Sequence, residues 1–454
     1  MITLQERVHS APRPDGWSLN KLHRVLRVRK GYKNVGMQEE NLLSLSYGRI
    51  VRKDIDTTEG LLPESFETYQ IVEPDNIVMR LTDLQNDKRS LRQGLVKERG
   101  IITSAYDALD IAEGHDPRFW AYALLALDLA KYYYSLGGGV RQSIKFADFP
   151  NDWVAAPDAN AQKLIGDFLD RETARIDQLI EKKQRLLRIA DELRASRINH
   201  AISGNLLGNS ATRDTGNLWF PTIPNGWQLA RLKNVVSQIS DGPHISPEYV
   251  DAGVPFISAR NIKVDRWALD DAKYISDDLF LELSKKLRPR VGDVLYTKGG
   301  TTGVARYVDL NFDFQIWVHV ALLKIRRKVA NPEYIANALN SRGCYEQSQL
   351  FTRGATNNDL GLSRMANIWL PLPPLDHQKC INVHLESEFK KIDRLRADIE
   401  ISIAKLAEFR VALITAAVTG QIDIATWQSG DITGSRLDRL EDEMPPPAAA
   451  RATG

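Results

Sequence analysis

Between Leu385 and Leu413, apolar residues return at every seventh position: Leu385, Ile392, Ile399, Leu406 and Leu413, with Leu395 and Phe409 offset by three. That spacing predicts a helix with one narrow apolar stripe, the pattern of a helix that pairs along a single seam. An equivalent stripe runs through Ile176, Leu179, Leu186, Ala190 and Leu193, with Lys183 and Arg197 interrupting it. Gly204 and Gly420 stand where the two runs end, a position that favours a residue tolerant of positive φ. About 30 to 35 helical residues make a rod of roughly 45 to 50 Å, and a rod that long with one apolar stripe needs a partner. The other run is the nearest partner, and the globular stretch between them lets the two lie antiparallel. Two ordinary core helices are the plainer alternative.

Elsewhere the pattern changes to short β-branched and aromatic runs punctuated by Gly, Pro, Asp and Asn. Strands are expected within 69–81, 253–262, 291–298 and 317–325. The expected fold is α+β: two mixed α/β domains in pseudo-twofold tandem repeat, joined by two long antiparallel coiled-coil helices. The boundaries read as a first domain over 1–160, a long helix over 161–204, a second domain over 205–372 and a second long helix over 373–424. A tail over 425–454, ending in "EMPPPAAARATG", is expected to be disordered.

The tandem reading rests on matched segments. "PDGWSLNKL" (14–22) pairs with "PNGWQLARL" (224–232), and "DPRFWAYALL" from Asp116 with "NPEYIANALN" from Asn331. At one constant offset Pro157 matches Pro373, Gln162 matches Gln378, Asp177 matches Asp393, and Arg194 matches Arg410. The regions inside these frames hardly resemble each other. Matching frames around different contents imply one task performed twice on two different targets.

Bulk composition narrows the class. A chain of 454 residues, 43% hydrophobic and 26% charged, is a globular protein of two to four domains. Its formal charge of +2 does not announce nucleic acid, so any basic surface must be local. Two cysteines, Cys344 and Cys380, argue against a disulfide framework and for a reducing cytoplasm. The first residues lack the apolar core of a secretion signal, and no apolar run is long enough to span a membrane.

Several chemical motifs come close and fail. "NPEY" (331–334) resembles the Asn-Pro-Pro-Tyr loop of adenine methyltransferases, but Glu333 replaces the second proline, and Asn-Pro is also a good helix start. "KGGTTG" (298–303) lacks the Gly-Lys-Ser/Thr ending of a phosphate loop. His244, His319, His377 and His384 lack metal-ligand spacing, and no carboxylates form a convincing pair. The expectation is a non-catalytic chain with no catalytic residue, no metal and no cofactor of its own.

The frame as a whole resembles the specificity subunit of type I restriction-modification enzymes. "LPLPPLDHQKCI" (370–381) is similar to that family's Leu-Pro-x-Pro-Pro-x-x-Glu-Gln-x-x-Ile signature, with His377 where Glu is usual. "FLDRETARIDQLIEKKQRLL" (168–187) is similar to its central helix, and "DGPHISPEYVDAGVPFISARNI" (241–262) resembles the opening of many of its target recognition domains. "PDNIVMRL" (74–81) parallels "VGDVLYTK" (291–298), although the first variable region has no clear Asp-Gly-x-His element.

The resemblance implies that each variable region is a target recognition domain reading one half of a bipartite, asymmetric site in double-stranded DNA. The helices would set the spacer and dock two methyltransferase subunits and two restriction/motor subunits, which would carry S-adenosylmethionine, Mg and ATP. Two readings stay open beside it: a methylation-only system, and a non-catalytic scaffold bridging protein partners.

Loops rich in Arg, Lys, Ser, Thr, Asn and Gly are the natural DNA readers. In the first domain these are Tyr47, Arg49, Arg80, Lys88, Arg89 and Arg92. In the second they are Ser258, Arg260, Asn261, Lys298, Thr301, Thr302, Arg353, Asn357 and Asn358. Arg260 suits guanine and Asn261 adenine, and Lys298 with its glycines suits a phosphate. The helix seam is expected to hold Ile176, Leu179, Leu186, Leu193, Leu385, Ile392, Ile399, Leu406 and Leu413.

Overall fold

The computed structural model describes residues 2–56, 65–84, 91–136, 143–208, 211–354 and 358–442. Among the described residues the chain divides into two compact units, one within 1–184 and 398–442, the other within 185–397. Each unit therefore contains one variable region and part of both long helices. That differs from the boundaries expected from sequence, which set the helices apart. The helices are not linkers; their apolar faces are walls of the two cores.

Both long helices have 44 residues, Ala159–Ile202 and Leu375–Val418. They start earlier than the seam pattern alone indicates, because Gln162 and Gln378 lie in their first turns. Gly166 inside the first helix is explained by packing, since a side-chain carbon there would lie 3.2 Å from Asp116 Oδ1.

In the first unit, a four-stranded antiparallel sheet has the order Leu26–Val28, Asp107–Ile111, Ile77–Met79, Gln93–Leu95. In the second unit the order is Val236–Asp241, Val320–Ile325, Val294–Thr297, Ala305–Tyr307, again antiparallel throughout. Ile77–Met79 and Val294–Thr297 hold the same place in their sheets, as the parallel between 74–81 and 291–298 anticipates. The second unit adds a three-stranded sheet in which Val254–Ile257 pairs antiparallel with Lys273–Ile275 and parallel with Gln315–Ile316.

The matched segments build matched joints. Ser18–Lys21 pairs antiparallel with Trp153–Ala156, and Gln228–Arg231 with Trp369–Leu372. Lys21 lies over the Trp153 ring at 5.5 Å and Arg231 over Trp369 at 4.7 Å. Each Gly-Trp stretch packs under a helix end. A side-chain carbon at Gly204 would collide with Pro224, and one at Gly420 with Pro14. Both glycines also have positive φ, 84° and 70°, so backbone and packing demand the same residue.

"DPRF" and "NPEY" are helix starts. Asp116 caps Pro117–Leu129 by accepting from the amides of Arg118 and Phe119. Asn331 caps Pro332–Leu339 by accepting from Glu333 and Tyr334. The glutamines of the repeated Pro-x-x-x-x-Gln segment complete the joint. Gln162 Nε2 donates to Pro157 O at 2.9 Å while its Oε1 accepts from Asp116 N at 3.1 Å. Gln378 Nε2 donates to Pro373 O at 2.7 Å while its Oε1 accepts from Asn331 N at 2.7 Å. One side chain thus ties the capped helix to the start of a long helix in each unit.

The helix seam is narrower than its pattern. Leu385, Ile392, Ile399, Leu406 and Leu413 are all buried. In the first helix Ile176 is buried and Leu179 half-buried, but Leu186 and Leu193 are 48% and 37% exposed. They are corrected out of the seam. Lys183 and Ala190 are buried at the same heptad position as Ile176, and beyond them the buried side chains shift to Arg194 and Ile198. Between Ile176 and Ala190 one residue per heptad is buried at this position, and Leu186 and Leu193, three after Lys183 and Ala190, turn outward.

The tail expected to be disordered from residue 425 instead carries two helices within the described residues, Ile424–Ser429 and Ile432–Asp442. Trp427 packs edge-on to Phe168 with centroids 6.5 Å apart, and Arg436 lies 4.8 Å over the Trp427 ring. Apolar Ile432, Leu437 and Leu440 join the same core. Among the described residues, no helix is long and apolar enough to cross a membrane.

Candidate nucleic-acid interface

Strands Val294–Thr297 and Val320–Ile325 run antiparallel, with Thr297 opposite Val320 and Val294 opposite Leu323. Residues after 297 and before 320 therefore share one end of the second sheet. Asp241 closes its own strand at that end. Here the sequence motifs converge: Lys298 N donates to His319 O at 2.8 Å, and Leu360 N to Lys298 O at 2.8 Å. A side-chain carbon at Gly299 would strike the His319 ring, so glycine is required by close approach.

Lys298 is the centre of this junction rather than a free phosphate ligand. Its side chain is 7% exposed, and its ammonium sits 2.9 Å from Asp359 Oδ1 and 3.2 Å from Asp241 Oδ2. His244 approaches the same Asp241 oxygen at 3.4 Å. A buried cation between two carboxylates holds three loops together. Thr302 is likewise internal, its hydroxyl within reach of Gln349 Nε2 and Thr352 Oγ1, both at 3.2 Å. Of the expected readers at this end, Thr301, Arg353 and Asn358 face solvent, while Asn357 lies outside the described residues.

The 258–261 loop shows the same division. Asn261 is 1% exposed. Its Oδ1 accepts from Ser258 N at 2.9 Å and Ser258 Oγ at 2.7 Å, and its Nδ2 donates to Ala268 O at 2.8 Å. Its amide is thus committed to shaping the loop, which corrects the expectation that it reads adenine. Arg260 remains 54% exposed, steadied by Asp271 O at 3.2 Å. It keeps donors for a base edge or a phosphate.

In the first unit, Tyr47 and Gly48 form the tip of the hairpin Leu43–Ser46/Arg49–Arg52. Both have positive φ, 46° and 76°, the two-residue turn that matches strand twist. A tyrosine at positive φ is strained, and the residue is 73% exposed. Arg49 is not free: its guanidinium reaches Asp177 Oδ2 at 3.2 Å. Arg80 is half-buried. Arg92 is fully buried, donating to Thr82 O and Tyr134 OH at 3.2 Å each, which removes it as a DNA reader. Lys88 and Arg89 lie outside the described residues.

Two features escaped sequence reading. The first is a duplicated ion pair between the long helices. In the first unit Arg410 Nε contacts Asp177 Oδ1 at 2.8 Å. In the second, Arg194 pairs with Asp393, and Arg396 with Asp191. Asp177 matches Asp393 in the repeat and Arg410 matches Arg194, so the repeat conserves the bond and not only the letters. The identical Asp and Arg positions were the available signal. The second feature is a set of exposed cations at the far end of the second sheet. Among the described residues, no group of His, Cys, Asp and Glu is arranged to hold a metal ion.

Comparison with known proteins bears on this arrangement. Residues 224–404 match the family model described as type I restriction modification DNA specificity domain. That part of the chain has the class its fold and loops define. Curated relatives include the type I restriction enzyme StySPI specificity subunit of Salmonella potsdam, 24% identical over 217 residues, 47% of each chain. The EcoKI specificity subunit of Escherichia coli strain K12 is 23% identical over 227 residues, 49% of this chain and 48% of the relative. The chain thus spans about half the length of these relatives. One solved chain, from work on complex assembly and conformational transition of the type I R-M system, aligns with a TM-score of 0.63 at 15% identity. It covers 90% of this chain and 100% of that one, a likeness of fold. These are likenesses of a domain over residues 224–404 and of overall fold.

Proposed function

We propose that this chain is the DNA-specificity subunit of a type I restriction-modification complex, with no catalytic role of its own. Each variable region reads one half of a bipartite, asymmetric site in double-stranded DNA. The long helices form an antiparallel coiled coil that sets the spacer between the halves. Two methyltransferase subunits and two restriction/motor subunits dock on this frame and bring S-adenosylmethionine, Mg and ATP.

The observation that carries this reading is the duplicated joint. The same sheet order, the same glutamine bridge and the same Asp–Arg pair recur in both units, around loops that differ. A repeated frame suits identical partners, and unlike loops suit unlike half-sites. The long helices also keep apolar side chains in solvent, including Ile189 at 47% and Ile401 at 55% exposure, which suits docking of further subunits.

The test is the host's genomic adenine methylation with the gene present and deleted. Loss of one bipartite, asymmetric motif on deletion is expected, and it would display both half-sites together. An unchanged methylome, with intact neighbouring methyltransferase genes expressed, would overturn the proposal.

A further inference from the structure

The end of the second sheet opposite Lys298 carries residues before Val294 and after Ile325. Their sequences are "KLRPRVGD" (286–293) and "RRK" (326–328). Between 288–291 and 310–314 lies an open cleft of about 430 Å³, walled by Phe312 and Phe314. Phe312 is 43% exposed. Arg327 lies directly over Gly292, where any side-chain carbon would collide with its guanidinium.

The charges here are unbalanced. Arg288 is held by Asp313 at 2.9 Å, and Lys324 by Asp293 at 2.5 Å. Arg290, Arg326, Arg327 and Lys328 are exposed, and no carboxylate pairs with them among the described residues. The equivalent end of the first sheet lies before Ile77 and after Ile111. It carries Glu73, Asp75 and Glu113 instead. The frame therefore does not require cations at this position; they belong to the second unit alone.

Resting on the DNA-binding reading above, we infer that this cleft binds the sugar–phosphate backbone of duplex DNA, with Arg290 and Arg327 as its principal phosphate ligands. Lys298, the phosphate ligand expected from sequence, is buried between two carboxylates. Arg290 lines the concave surface, and Arg327, over Gly292, stands beside Val291 of its wall; both are exposed, and no carboxylate pairs with either among the described residues. Guanidinium groups with no internal partner gain most from phosphate, and their contact carries no base information. Phe312 offers an apolar wall suited to a sugar face. The cleft would therefore add affinity without changing which bases are read.

The experiment measures binding of the full chain to a fluorescent 40-base-pair duplex of arbitrary sequence across a salt series. It compares wild type, Arg290→Ala/Arg327→Ala, and Lys182→Ala/Arg188→Ala, a control that removes two exposed cations from the first long helix. Each lost phosphate contact lowers the slope of log K against log salt by about 0.9. The cleft variant should lose about 1.8 from the slope and about tenfold or more in affinity near 0.1 M salt. The control should keep the wild-type slope, and melting curves should show both variants folded. A wild-type slope in the folded cleft variant would overturn the cleft while leaving the DNA reading intact. A wild-type chain that binds no duplex would overturn both. Equal losses in cleft and control variants would show general charge attraction and also overturn the assignment.

Discussion

The Asp393–Arg194 pair makes a quantitative prediction. Arg194 is 7% exposed and its guanidinium lies over the Phe389 ring at 4.2 Å, whereas Asp393 is 53% exposed. Truncating one partner of a fully buried pair costs ~3–5 kcal/mol, because the other charge is stranded. Exposed pairs are worth ~0.2–1 kcal/mol. This pair has one buried and one open partner, so Asp393→Ala should destabilise the second unit by roughly 2 kcal/mol. Part of that penalty belongs to the stranded arginine. A double-mutant cycle with Arg194→Met should isolate a coupling of about 1 kcal/mol. The repeat-equivalent change, Asp177→Ala, removes the partner of Arg410 and of the exposed Arg49 in the first unit. Hydrogen exchange is the right readout because it reports each unit separately. Asp393→Ala should speed exchange around Arg194 and Phe389, and Asp177→Ala around Asp177 and Arg410. Coupling below ~0.3 kcal/mol, or identical exchange maps for the two variants, would refute the reasoning that each unit has its own copy of the clasp.

Two further predictions follow from buried polar groups. Gln378→Ala leaves Asn331 N and Pro373 O without their shared partner and should cost ~2–3 kcal/mol in urea unfolding; Gln378→Glu should restore less than half of that. A loss under ~0.5 kcal/mol would mean water replaces the amide. Burial pushes the Asp128 carboxyl from its ordinary value of 3.8 up to about 6, opposed by the Arg92 amide it accepts. The folded protein therefore favours the neutral acid. The penalty is absent below pH ~4, grows between ~4 and ~6, and is complete above ~6. Asp128→Asn should gain stability relative to wild type by ~2–3 kcal/mol between pH 4 and pH 7.5. A stability difference that does not change with pH would contradict a buried titrating carboxyl.

The frame was legible because its parts obey local rules. Heptad spacing, Asn-Pro and Asp-Pro helix starts, and glycine at helix ends are dictated within a few residues. The repeat then doubled each signal. The binding surface was less legible, because a loop's composition does not say which of its side chains face inward. Asn261, Lys298 and Arg92 have the chemistry of DNA readers, yet each is committed to interior partners that lie far away in sequence or behind a turn. Arg290 and Arg327 look like any surface arginine until antiparallel pairing brings 286–293 beside 326–328. The helices Ile424–Ser429 and Ile432–Asp442 are hard to see in composition because the segment runs into a Pro- and Ala-rich ending. Trp427, Ile432 and Leu437 already carried an apolar face.

Among the described residues one unit is contiguous in the chain over 185–397, whereas the other is assembled from 1–184 and 398–442. During synthesis, the segment containing the first variable region leaves the ribosome first but lacks Leu406, Leu413 and Trp427, which complete its core. The second unit has its full core as soon as residue 397 emerges. The order of maturation is therefore opposite to the order of translation. The early segment must wait with an incomplete apolar face, and a pause or truncation between 398 and 442 would spare the later-made unit while leaving the earlier-made one unfinished.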